Sequence, residues 1–309
     1  MKVAQVFGGF AFLLTSTALL SFAEQPPPPD FRSDSNVVLI NATVLDRHDR
    51  PVRGLNRSLF RIFENKTERA VTCFAEEDVP VSLAIIFDNS GSMEGKLAGA
   101  REALTAILQE TNHEDELALV TFADRPRLAV SWTSSAMEVQ NRAHVDRSQG
   151  QTSLLDAIQL GLVQMKQSKN SRKALLILSD GGDNSSAITE RQLARLLEEA
   201  EVQLYAVDMS ESPILRQRSS EEIEGPDLLA GLCDRAGGRY YRVEGRKELS
   251  AAADQIGKEL RSQYVLGFMA PTTNDDGKFH RVQVQLRHPE GMQKVSVYWR
   301  RGYRAPSGY

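Results

Sequence analysis

The chain has 309 residues, with 37 Lys or Arg against 41 Asp or Glu and a formal net charge of −4. Hydrophobic residues make up 41% and charged residues 25%, the balance of a soluble globular protein with room for two domains. Mild acidity without a basic stripe argues against a nucleic-acid partner.

Residues 1–23 read as a removable export signal. Lys2 supplies a positive start, and Val6 to Leu20 is apolar apart from glycine, serine and threonine. Ser21-Phe22-Ala23 makes a small-x-small cleavage site. The apolar stretch is shorter than the ~20 residues of a membrane span. The expectation is an exported protein, periplasmic or secreted, with no stable span after cleavage. Gln25 to Asp30, containing P-P-P-P, is a stiff linker. Cys73 and Cys233 are read equally well as small buried residues or as a bridge, which an oxidising compartment permits.

After the linker come strand candidates without helices: Val37–Leu45, Leu59–Phe63 and Val71–Phe74. Asp46 to Pro51 is a polar turn, and Glu64 to Arg69 a polar separator. From Pro80 strands and helices alternate, as βαβ units of a parallel sheet do. Strands are expected at Leu83–Phe87, Leu117–Phe122, Ala174–Leu178, Val202–Val207 and Arg239–Val243. Helices are expected at Lys96–Glu110, Ser153–Gln167, Thr189–Glu201, Asp227–Ala236 and Lys247–Ser262. A polar connection leads from Phe122 to Thr152, and Ser210 to Pro226 reads as an exposed charged loop. Past Tyr264 the pattern returns to strands at Tyr264–Phe268, His280–Leu286 and Val295–Trp299, with turns at Asp275–Lys278 and Pro289–Gly291.

The fold class expected is α/β, a doubly wound and mostly parallel sheet, with a smaller β-sandwich-like companion. Residues 1–23 are the signal, 24–79 an N-terminal β segment, 80–262 the α/β domain and 263–309 a C-terminal β segment. The two β segments are expected to pack together, because neither alone makes a stable sheet.

The apolar run Leu83–Phe87 ends abruptly in Asp88, followed by Ser90 and Ser92 in D-N-S-G-S. Thr152 precedes a helix in G-Q-T-S-L-L-D-A-I, and Asp180 ends a second apolar strand in L-I-L-S-D-G-G-D-N. In a doubly wound sheet these loops share the edge where ligands bind. Asp88, Ser90, Ser92, Thr152 and Asp180 then form a hard oxygen cluster suited to Mg²⁺, Mn²⁺ or Ca²⁺.

Taken together, D-N-S-G-S, the threonine of G-Q-T-S-L-L-D-A and S-D-G-G-D-N resemble the metal-ion-dependent adhesion site of von Willebrand factor type A domains. The resemblance spans roughly Pro80 to Ser262. P-V-R-G-L-N at Pro51 to Asn56, E-E-D-V-P-V-S at Glu76 to Ser82 and W-R-R-G-Y at Trp299 to Tyr303 further resemble an exported bacterial subgroup. The resemblance implies Mg²⁺ as the usual ion. It implies Asp88, Ser90 and Ser92 as first-loop ligands, Thr152 as second-loop ligand and Asp180 as third-loop acidic ligand. It also implies a protein partner whose Asp or Glu completes the ion's shell.

Competing readings stand beside these. Ser90 and Ser92 are also good helix caps. Asp183 and Asp156 are read as turn and helix-start residues, outside the metal set. The five histidines show no ligand spacing and are read as surface residues. A phosphohydrolase using Asp88 as nucleophile would need an acid/base or a lysine nearby, and D-N-S-G-S supplies neither. No nucleotide-binding, zinc-protease or nucleophile-elbow motif is present. The function expected is therefore a non-catalytic, exported, metal-dependent adhesion module, with metal-independent scaffolding as the alternative. The charged loop 210–226 is a candidate for partner choice.

Overall fold

The computed structural model describes residues 37–76, 79–145, 149–209, 220–271, 276–287 and 294–305. The expected signal, the proline linker, residues 210–219 of the charged loop and the Pro289–Gly291 turn lie outside the described residues. The N-terminal segment forms β1 (Val37–Leu45), β2 (Phe60–Glu64), β3 (Thr67–Arg69) and β4 (Cys73–Glu76). The expected polar separator is itself a hairpin. β2 returns into β3 through Asn65 and Lys66, both at positive φ (46° and 75°), the two-residue turn whose twist matches its strands.

The α/β segment runs β5 (Val81–Asp88), α1 (Leu97–Gln109), β6 (Glu116–Phe122), β7 (Pro126–Thr133), α2 (Ala136–Ala143), α3 (Leu154–Met165) and β8 (Arg172–Ser179). It continues with α4 (Glu190–Glu199), β9 (Gln203–Asp208), α5 (Ser220–Ala236), β10 (Tyr240–Arg242) and α6 (Arg246–Arg261). The sheet order is β10-β9-β8-β5-β6-β7. All neighbours are parallel except β7, which runs antiparallel to β6. Continuous apolar runs make β5 and β6 buried along their whole lengths. On β5, Leu83, Ile85 and Phe87 pack with α1 and α6, while Ala84 and Ile86 pack with α3, α4 and α5. The sheet is thus doubly wound, with β5 at its centre.

Two departures from expectation have physical causes. β7 and α2 occupy the presumed polar connection. β7 is an edge strand, half-buried and bulged against β6, so it lacks the apolar run that marks the central strands. α5 begins at Ser220, and Pro226, expected just before the helix, lies inside it. Proline favours a first turn, but here the helix continues through it at the cost of a backbone bond.

The C-terminal segment supplies β11 (Tyr264–Met269), β12 (Phe279–Leu286), β13 (Ser296–Trp299) and β14 (Gly302–Arg304). Strands from both ends of the chain share two antiparallel sheets, β13-β1-β11-β4 and β14-β12-β2-β3. Ile40, Phe60, Ile62, Leu266, Phe268, Val282 and Val284 meet in one core between them. These sheets fit the expected companion domain. His280, read as a surface residue, is only 6% exposed. Its Nδ1 lies 3.0 Å from Asn65 Nδ2 and its Nε2 3.1 Å from Asp276 Oδ1, and its ring stacks on Tyr303. Cys73 and Cys233 are both free, and burial pushes the Cys233 thiol up.

The companion sheets meet the α/β layer at the N-terminal ends of the parallel strands. Gln263 donates to Gln203 at the start of β9, Arg300 pairs with Glu201 at 3.3 Å, and Arg239 pairs with Asp49 at 3.1 Å. Gly237 is required there: its φ is +75°, and a Cβ would lie 2.1 Å from Arg300 N. The C-terminal ends of the strands form the opposite edge.

Candidate metal centre

Strand order reverses between β5 and β8, which pair in parallel with Phe87 opposite Leu178. Open α/β sheets bind ligands at the C-terminal side of such a reversal. Asp88 is the last residue of β5, and Asp180 follows Ser179, the last of β8. Asp88, Ser90, Asp180 and Thr152 are all buried, whereas Ser92 is partly exposed.

Four of the five expected residues are joined by hydrogen bonds. Ser90 N donates to Asp88 Oδ1 at 2.8 Å, and Ser179 Oγ donates to Asp88 Oδ2 at 2.5 Å. Ser90 Oγ and Ser92 Oγ are 3.0 Å apart, and Ser92 Oγ donates to Asp180 Oδ1 at 3.1 Å. The Ser90 hydroxyl also bonds the Asp88 carboxylate. Ser90 stands at the start of the short 3-10 turn Gly91–Met93 but makes no side-chain capping bond. Capping therefore does not account for Ser90.

Thr152 reaches the site through backbone ties. Gly91 N donates to Gly150 O and Gln149 N to Asn89 O, each at 3.0 Å, which laces the first loop to the second. Thr152 N donates to Asn184 Oδ1 at 2.9 Å, and Thr152 O accepts from Asn184 N at 3.0 Å, which laces the second loop to the third. Asp183 and Asp156 bond backbone and hydroxyl groups around the start of α3. Asp183 Oδ1 accepts from Leu155 N and Ser186 Oγ, and Asp156 accepts from Ala187 N and Ile188 N.

Two further residues belong to the centre. Ser179 bonds Asp88 and also accepts from Gly181 N at 3.0 Å, tying strand end to loop. Its signal lay in the S-D-G-G motif, one place before Asp180. Lys96 Nζ sits 2.7 Å from Asp180 Oδ2, with the lysine side chain only 9% exposed. D-N-S-G-S itself holds no lysine, but Lys96, four residues past Ser92, is folded back onto the third loop.

Burial, and then the neighbouring Asp180 carboxylate, push Asp88 up to about 7, while the bonds from Ser179 and Ser90 pull it down. Lys96 balances the Asp180 carboxylate, whereas the Asp88 carboxylate accepts from Ser90 and Ser179, neither of them a cation. Among the described residues no group of three His, Cys, Asp or Glu side chains is placed to hold a metal. A metal here must rely on hydroxyls beside the two carboxylates. The donor set fits. Oxygens bound about 2.1 Å from an octahedral Mg²⁺ lie roughly 3 Å apart along the octahedron's edges. That is the spacing of the Ser90–Ser92 and Ser92–Asp180 contacts, 3.0 and 3.1 Å.

Residues 83–182 match the model of the von Willebrand factor type A domain. Inter-alpha-trypsin inhibitor heavy chain H4 of Bos taurus is 30% identical over 117 residues, which cover 33% of this chain and 13% of that protein. An uncharacterized protein of Borreliella burgdorferi is 24% identical over 183 residues, 52% of this chain and 53% of its own length. The chain spans about half or less of the length of the curated relatives it matches. A solved structure described as von Willebrand factor type A from Catenulispora acidiphila matches with a TM-score of 0.51 at 14% identity. The match covers 89% of this chain and 75% of that one, a likeness of fold.

Proposed function

We propose that the von Willebrand factor type A domain carried by this chain is a metal-dependent protein-binding module of an exported, non-catalytic protein. Such domains commonly serve protein–protein interaction. In this reading residues 80–262 form the module, and 24–79 with 263–309 form its companion. Asp88, Ser90, Ser92, Thr152 and Asp180 hold Mg²⁺, with Mn²⁺ or Ca²⁺ as substitutes. A bound divalent ion supplies open coordination positions, and an Asp or Glu of a protein partner fills one of them.

The observation that carries this reading is the gathering of the Ser90, Ser92 and Asp180 oxygens beside a fully buried Asp88, at the strand ends where β5 and β8 adjoin. The same burial weighs against the phosphohydrolase reading despite Lys96. Asp88 has 0% exposure, and a nucleophile must meet the bulk of a phosphate ester, whereas an ion is small.

Thermal unfolding with and without Mg²⁺ or Mn²⁺ tests the site. Metal at a hundredfold excess over its dissociation constant adds about 2.7 kcal/mol, so the melting temperature of wild type should rise. Asp180→Asn should remove most of that rise, and Asp88→Ala all of it. A rise equal in all three proteins, or none in wild type, overturns the site. Capture of partners from native culture fluid should be lost in EDTA and with Asp88→Ala; capture indifferent to both overturns metal-bridged binding.

A further inference from the structure

Lys96 is an unusual residue to find where it is. It occupies the position just before α1, whose N-terminal end carries the positive pole of the helix. A cation is electrostatically disfavoured there, and burying an ammonium costs free energy unless it is paired. Its side chain is nevertheless 9% exposed, and Nζ lies 2.7 Å from the Oδ2 of Asp180, itself 2% exposed. Asp180 therefore decides where Lys96 points. The two oxygens of Asp180 are divided, with Oδ1 taking the Ser92 hydroxyl and Oδ2 taking the ammonium.

We propose that Lys96 is a tethered cation that holds Asp180 when no metal is bound and weakens the centre's affinity for a divalent ion. The proposal rests on the metal reading given above. A divalent ion among Asp88, Ser90, Ser92 and Asp180 must either take Asp180 from the ammonium or share the carboxylate with it. In the first case the ion breaks a buried ion pair; in the second it sits beside a positive charge. Both lower its affinity. The four-carbon stem of lysine lets the ammonium retreat without moving the backbone. The centre is then an exchangeable site, closed on itself when empty, rather than a permanently loaded one.

Titration of Mn²⁺ into metal-stripped protein, followed by electron paramagnetic resonance of the free ion, tests this. Lys96→Met keeps the stem and removes the charge, and Lys96→Arg keeps the charge. Removing one positive charge from within several ångströms should tighten Mn²⁺ binding on the order of tenfold. Lys96→Arg should stay near wild type. Circular dichroism melting of each metal-free variant identifies one that has lost its fold. Should Lys96→Met misfold, Lys96→Gln serves in its place under the same expectation. Binding by Lys96→Met that is equal to or weaker than wild type, while Asp180→Asn binds poorly, overturns the proposal and leaves the metal reading standing. If neither wild type nor Lys96→Met binds Mn²⁺, the metal reading fails and this proposal with it.

Discussion

Gly225 and Gly181 meet backbone to backbone: a Cβ built on Gly225 would lie 2.4 Å from the Gly181 carbonyl carbon, and one on Gly181 2.8 Å from that of Gly225. Gly181 also sits at φ +85°, where side chains are strained. α5 therefore rests directly on the loop that carries Asp180. Gly225→Ala must push the two apart, an overpacking that costs about 1–3 kcal/mol. The expected result is a lower urea midpoint together with a weaker thermal response to Mn²⁺, because Asp180 moves with the loop. A lower midpoint with an undiminished Mn²⁺ response would show that the contact serves packing alone.

Ser179 ties the Asp88 carboxylate to the Gly181 backbone without being one of the five expected ligands. Ser179→Ala removes a donor from buried Asp88 and an acceptor from Gly181 N. Leaving buried polar groups unsatisfied costs about 1–3 kcal/mol each. Metal-free Ser179→Ala should therefore melt below wild type. Saturating Mg²⁺ should restore part of the loss, since a cation compensates Asp88 in place of the hydroxyl. Scanning calorimetry with and without Mg²⁺ measures both effects, and an equal deficit in the two conditions would separate Ser179 from the metal site.

What the sequence made legible follows from how each element is buried. β5 and β6 lie inside the sheet and carry unbroken apolar runs, so their type and their C-terminal ends were readable, and with them Asp88. Ser90, Ser92 and Asp180 follow strand ends in short motifs, and the fold brings them together by adjacency of β5 and β8. β7 is half-buried at an edge and shows no such run. The β2–β3 turn depends on backbone dihedrals that Asn65 and Lys66 do not advertise as a glycine would. Lys96 escaped because its role depends on a side chain bending back across 84 residues of sequence to Asp180. His280 looked like a surface residue because its partners Asn65 and Asp276 are polar, and polar partners are what allow it to be buried.

The turn after β1 carries its own acid sensitivity. Asp46 Oδ1 accepts from His48 N at 2.8 Å and Arg50 N at 3.0 Å, and Oδ2 accepts from Arg50 Nε at 2.9 Å. The Arg50 backbone bond leads in holding Asp46 down at about 2, below its ordinary 3.8. A folded value below the unfolded one means that this contribution is present above pH ~4 and is lost as pH falls toward 2. Carbon-detected NMR titration should show Asp46 titrating near 2, and Asp46→Asn should lose the slowly exchanging amide of Arg50. An Asp46 midpoint near 4 would show that the turn does not bind the carboxylate.

The junction between the α/β layer and the companion sheets depends on Arg239. Its Nη1 lies 2.7 Å from Oε1 of Glu259, which is wholly buried and also accepts from Tyr241 OH at 2.6 Å. The guanidinium lies over the rings of Tyr241 and, across the junction, Tyr298, at 4.8 and 5.0 Å. Burial pushes Glu259 up while Arg239 pulls it down. Removing one partner of a buried pair typically costs about 3–5 kcal/mol, so Arg239→Ala should be strongly destabilised. Without the guanidinium, burial acts on Glu259 less opposed, and its folded value rises further above the ordinary 4.5. A raised folded value means stability is lost as pH climbs from about 4.5 through that value. The deficit of Arg239→Ala should therefore be larger at pH 8 than at pH 5. Adding Glu259→Gln should recover part of the deficit at pH 8 and flatten its pH dependence, because the uncompensated charge is gone. Urea unfolding of the four proteins at both pH values decides the matter. A deficit independent of pH, unrelieved by Glu259→Gln, would place the contribution of Arg239 in its stacking on the tyrosines instead.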